Sequence, residues 1–95
     1  MRRFAKIDAN QRVIVEAWRN AGATVQSLAS IGKGCPDIVV GFRGKNVLME
    51  IKKDGVSPSR QRLTPDEQAW HEAWKGSVVI VKTADEALKA MEFMA

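Results

Sequence analysis

The sequence predicts an α/β fold in which a mixed central sheet is flanked by helices, in the order α-β-β-β-α-β-α. Three observations lead there. Two apolar runs, Asp37-Ile-Val-Val-Gly-Phe and Asn46-Val-Leu-Met-Glu-Ile-Lys, flank the turn signal Gly44-Lys45 and read as a β-hairpin. Downstream, Thr64-Pro-Asp-Glu67 and Thr83-Ala-Asp-Glu86 each place a hydroxyl three residues before a glutamate, the capping-box pattern of a helix start. Between those two helices runs Ser77 to Lys82, SVVIVK, a segment of buried-strand type. A crossover through the preceding helix makes this strand parallel to a neighbour.

In chain order, Asp8-Ala-Asn-Gln11 opens the first helix, with Asp8 as N-cap and Gln11 reaching back. Ile14, Ala17, Trp18 and Ala21 recur at helical spacing, and Gly22 is placed to end the helix. Thr24 to Ser30 alternates apolar and polar residues and predicts a strand, and Ile31-Gly-Lys-Gly34 is a flexible turn into the hairpin. After Lys53, the stretch Asp54 to Arg62 mixes Gly, Pro, Ser and Arg without periodicity, which predicts a mobile loop. The second helix has Pro65 at its first position, an apolar stripe of Ala69, Trp70, Ala73 and Trp74, and Gly76 as its stop. Ala87, Leu88, Met91 and Met94 form the stripe of the last helix. The three tryptophans thus sit on helix stripes and are expected in the core rather than as base-stacking platforms.

The hairpin concentrates charge. With Gly44 and Lys45 as the two loop residues of a type II′ turn, Arg43 lies opposite Asn46 and Asp37 opposite Lys52. Side chains alternate along a strand, so Asp37, Glu50 and Lys52 share one face of an otherwise apolar hairpin. Charges among Val, Leu and Ile are costly unless paired or bound to metal. Two readings follow: a solvated Asp37–Lys52 cross-strand pair, or a site for a hard divalent cation that takes carboxylate and carbonyl oxygens and keeps several waters.

Composition bounds the rest. Ninety-five residues suffice for one domain, 1–95, with one modest core. Its 45% hydrophobic and 27% charged residues are ordinary for a soluble globular protein. No apolar run reaches membrane-span length and Met1-Arg-Arg-Phe lacks a signal-peptide stretch, so a cytoplasmic location without membrane partners is expected. One cysteine, Cys35, excludes an internal disulfide and fits a reducing compartment. Catalysis by Cys35 would need the one histidine, His71, brought alongside from a distant helix. A net charge of +4 is compatible with a polyphosphate partner.

Pro36-Asp37 followed by Glu50-Ile51-Lys52 has the form P-D…E-x-K and resembles the signature of the PD-(D/E)xK nuclease superfamily. The ordered set Gly34-Cys-Pro-Asp, the hairpin, Glu-Ile-Lys, Leu63-Thr-Pro-Asp-Glu-Gln-Ala-Trp and Gly76 before an apolar strand is similar to the VRR-NUC domain of phage and repair nucleases. The likeness runs from about Asp8 to the last helix. It implies a restriction-endonuclease-like αβββαβ core, the element order already read from periodicity, with an added C-terminal helix.

The resemblance also implies roles. Asp37, Glu50 and the carbonyl of Ile51 would hold one or two Mg²⁺ or Mn²⁺ ions, and Lys52 would orient or help deprotonate the attacking water. An acidic residue near the first helix belongs to the pattern; Asp8 fits its spacing and Glu16 lies mid-helix, with N-capping and a solvated face as their respective alternatives. The second helix brings a glutamine in the family, whereas here Glu67 occupies that place and Gln68 follows it. Lys33, Lys53, Arg60 and Arg62 flank the motif as phosphate contacts or as ordinary surface charges. The implied function is a metal-dependent DNA endonuclease resembling Holliday-junction resolvases, acting as a homodimer on branched DNA in a bacterial or phage-infected cell. The alternatives are a non-catalytic DNA-binding module that kept the fold, and an interaction domain with a chance motif.

Overall fold

A computed structural model describes residues 9–90 and residue 92. Asp8, Met91 and Met94 lie outside the described residues, as does the side chain of Arg60. The elements are α1 (Ala9–Asn20), β1 (Thr24–Ser27), β2 (Ile38–Phe42), β3 (Lys45–Ile51), α2 (Pro58–Gln61), α3 (Pro65–Ala73), β4 (Val78–Val81) and α4 (Ala84–Lys89). The sheet runs β1-β2-β3-β4, antiparallel at the first two pairings and parallel between β3 and β4. This is the mixed α/β sheet flanked by helices that the sequence predicts.

Helix α1 ends as its sequence dictates. Gly22 has φ +95°, its N–H donates to Arg19 O at 3.0 Å, and the Ala23 N–H donates to Trp18 O at 3.0 Å. These are the two bonds of a Schellman motif, which needs the left-handed residue that glycine supplies without strain. The helix buries Ile14 and Trp18 against Ile38 and Val40 of β2, Val47, Met49 and Ile51 of β3, and Val81 of β4, with Ala87 of α4 closing the cluster. Trp18 meets Phe42 edge-on at 6.0 Å between ring centroids.

The hairpin departs from expectation at its turn. Phe42 pairs with Lys45 and Gly41 with Asn46, so Arg43 and Gly44 are the loop residues. Both have positive φ, +54° and +77°, as a type I′ turn requires. Primed turns match the strand twist, and Arg43 takes the less favourable left-handed backbone while its guanidinium covers the Phe42 ring at 4.9 Å. The pairing sum falls by two relative to a Gly44-Lys45 loop, so the position across from Asp37 is Glu50 rather than Lys52. A change of two preserves strand parity, and the three charged residues still share a face.

Three further boundaries differ. β1 stops at Ser27 because Leu28 to Ile31 form a turn closed by Ile31 N–H to Leu28 O at 3.0 Å. The stretch after Lys53 contains a short helix, α2, started by Pro58 and tied back by Gln61 Nε2 to Lys53 O at 3.2 Å. α3 ends at Ala73 with Trp74 as its C-cap, before Gly76. Its stripe is not core: none of its residues is buried, Ala69 and Ala73 are exposed, and Trp74 is 46% exposed. Trp70 and Trp74 instead stack on each other, centroids 4.6 Å apart at 17°. The core lies on the α1–α4 side of the sheet, and α3 crosses the other side, where Glu50 points.

Candidate active site

Alternation along β3 sends Met49 and Ile51 into the core and Glu50 to the opposite face. Glu50 is 2% exposed, the one buried charged residue among those described. Asp37, just before β2, lies against it, close enough for each carboxyl group to shift the other's protonation, and Asp37 Oδ2 accepts from the Ile51 N–H at 2.7 Å. Burial, then the neighbouring Asp37, pushes the Glu50 carboxyl up to about 9. Asp37 is also raised by burial, with the Ile51 N–H and Glu50 working against the rise. Two carboxyl groups this close share a proton rather than ionise together.

Lys52 leaves the end of β3 on the same face, and its Nζ donates to Glu67 Oε1 at 2.6 Å, both side chains being largely buried. Glu67 is also the glutamate of the α3 capping box, accepting from Thr64 N–H at 2.9 Å while Thr64 Oγ1 accepts from Glu67 N–H at 3.2 Å. Burial raises the Glu67 carboxyl, but the Lys52 ammonium and the Thr64 N–H together hold it below the usual carboxylate value. One carboxylate thus fixes both the start of α3 and the lysine.

Gly34 accounts for the way α3 reaches the site. It has φ +84°, and a Cβ there would collide with the Asp66 carbonyl and stand 2.8 Å from Glu67 N. The loop backbone therefore packs directly on the first turn of α3. The Cys35 thiol is raised by burial and then by Glu50 and Asp37, the opposite of what a thiolate nucleophile needs.

The remaining sequence candidates separate in space. Gln68 is exposed and donates to Glu72 Oε2 at 2.8 Å, along the outer side of α3. Glu16 is exposed on α1. Lys33, Lys53 and Arg62 are exposed loop or cap residues near the ends of the site-bearing segments. Two residues stand at the site in places the sequence did not predict. Asn10 Nδ2 donates to Lys52 O at 2.9 Å and Lys82 O at 2.7 Å, clamping the ends of β3 and β4 to the start of α1. His71, one helical turn after Glu67, places Nε2 3.7 Å from Glu50 Oε1. The i, i+4 spacing from Glu67 was the available signal for His71; nothing local marked Asn10.

Among the described residues, no three His, Cys, Asp or Glu side chains form a ready-made metal cage. Asp37 and Glu50 nevertheless fit a hard cation. They are a buried and a half-buried carboxyl group set side by side, Glu50 with an unpartnered oxygen, and Mg²⁺ takes one or two carboxylates and fills its shell with carbonyls and water.

No family model matches the chain, and no curated protein does. Among solved structures, one described as a "VRR_NUC domain" superposes with a TM-score of 0.66 over 90% of this chain and 92% of its own, at 24% identity. The carboxylate pair, the adjoining lysine and the helix that caps on Glu67 are therefore carried on the fold of a VRR_NUC domain.

Proposed function

We propose that this protein is a metal-dependent DNA endonuclease of the VRR-NUC type. The observation that carries the reading is the buried Glu50 carboxyl with Asp37 against it and Lys52 beside them on the same sheet face. Apolar side chains would stabilise this place better, so a buried Glu50 with two half-buried charged neighbours is best accounted for by chemistry. Asp37, Glu50 and the Ile51 carbonyl would hold Mg²⁺ or Mn²⁺, and such an ion lowers the pKa of a coordinated water and offsets charge on the phosphate. Lys52 orients the attacking water and meets the charge that develops on the phosphate. Glu67 holds Lys52 in position between turnovers. Lys33, Lys53, Arg60 and Arg62 contact the backbone phosphates, giving sequence-independent, salt-sensitive binding.

The reading extends to branched DNA as substrate and to a homodimer, since cutting paired strands needs two sites related by a two-fold axis. The test is cleavage of a synthetic four-way junction, with duplex, flap and single-strand controls, in Mg²⁺, Mn²⁺ or EDTA, for wild type, Asp37→Ala and Lys52→Ala. Metal-dependent cutting lost in both variants is the expected result. A folded wild type that cuts nothing, yet shifts junction DNA in a gel as well as the variants do, would make the protein a binding module.

A further inference from the structure

His71 has no part in the reading above, yet its surroundings are unusual for a helix-surface residue. Its side chain is 11% exposed, and Nε2 is buried without a hydrogen-bond partner. Glu50 Oε1, on a side chain 3% exposed, is likewise buried without a partner, and the two atoms face each other at 3.7 Å. Buried polar atoms in folded proteins are nearly always paired, so two orphans across one gap call for an explanation. An apolar residue at position 71 would fill the same space without leaving a nitrogen unsatisfied.

The geometry points to His71 as a positioning residue for Glu50: its Nε2–H donates to Glu50 Oε1 and fixes the carboxylate for a divalent cation. This rests on the metal-dependent reading of the site. A carboxylate that ligates through one oxygen is held by a donor on its other oxygen, and such outer partners are worth about 10–100-fold in metal affinity. The gap needs to close by under about 1 Å to make that bond, and site hydrogen bonds commonly tighten on binding. His71 is not offered as a ligand itself, since no three side chains of the metal-binding types are grouped here among the described residues. Nor does it serve Cys35, whose thiol is held in the unreactive form.

The experiment titrates Mn²⁺ alone, without DNA, into wild type, His71→Leu and His71→Gln, following loss of the free-ion electron paramagnetic resonance signal. Melting curves of the metal-free proteins run alongside. Leucine fills the volume without a donor, whereas glutamine carries an Nε2 donor of similar reach. Expected is a dissociation constant weakened about 10–100-fold for His71→Leu and within about threefold of wild type for His71→Gln, the range set by other outer-shell partners. The metal-free His71→Leu protein should melt no lower than wild type, since it removes an unpaired nitrogen. Equal affinity in wild type and His71→Leu overturns the inference alone, as does equal weakening in both folded variants. A wild type that takes up no Mn²⁺ overturns it together with the metal-dependent reading.

Discussion

At the scale of single residues, the site stores repulsion that the fold could shed. Asp37 and Glu50 are both raised by burial, and each carboxyl group stands beside another. Asp37→Asn keeps an oxygen for the Ile51 N–H and adds an amide donor for Glu50. The metal-free variant should therefore melt higher than wild type, on the order of 5 °C, while losing metal-dependent cleavage. A lower melting temperature would show that the pair is a structural element, not a functional one. Glu67 separates two roles in the same way. Glu67→Gln can still accept from Thr64 N–H but leaves the largely buried Lys52 ammonium without its counter-charge, so it should lower stability, whereas Glu67→Ala also opens the cap and should cost about 1 kcal/mol more in urea unfolding. If the two variants are equally stable, the capping box contributes nothing.

At the scale of elements, local sequence rules served where an element's stability is local and failed where neighbours decide. The capping threonines, Gly22 and the strand runs are legible because a cap or an alternation involves only adjacent residues. The hairpin turn was misplaced because a Gly-X pair satisfies one primed turn, whereas the chain puts a non-glycine, Arg43, into a left-handed conformation and compensates through Phe42. The shared face of Asp37, Glu50 and Lys52 was still readable, since strand parity survives a shift of two. The α3 stripe misled for another reason: periodicity reports an apolar face but not whether anything covers it, and Trp70 and Trp74 cover each other. Asn10 was invisible because its partners are backbone carbonyls, one of them at Lys82, far along the chain. Gly34 joins these elements, because the loop touches α3 backbone to backbone. Gly34→Ala should displace the first turn of α3, lower stability by about 2 kcal/mol or more, and change the fluorescence of Trp70 and Trp74. It should also reduce cleavage without altering any charged residue. An unchanged emission spectrum with full activity would mean that α3 docks independently of the loop.

At the scale of the whole molecule, the buried carboxyl pair ties folding to pH. Glu50 is raised from its ordinary 4.5 to about 9 in the folded protein, and Asp37 is raised as well. Between those values the folded state holds a proton that the unfolded chain has lost, so the contribution to stability is full below 4.5 and disappears as pH rises through about 9. The slope is at most ~1.4 kcal/mol per pH unit for one proton, shared across the coupled pair. Glu67, held low, works in the other direction: its contribution is present above its ordinary value and is lost on acidification. Metal-free protein should thus be most stable in weak acid and soften steadily towards alkaline pH. A divalent cation competes with the shared proton, so its stabilisation should grow as pH rises and reverse the alkaline decline. Melting temperatures across this range, with EDTA and with Mg²⁺, measure both slopes. The expected result is diverging curves that meet in weak acid; in Asp37→Ala the two should coincide at every pH, because the proton and the cation share the same pair of carboxyl groups. Parallel curves for the wild type would place the cation elsewhere on the molecule.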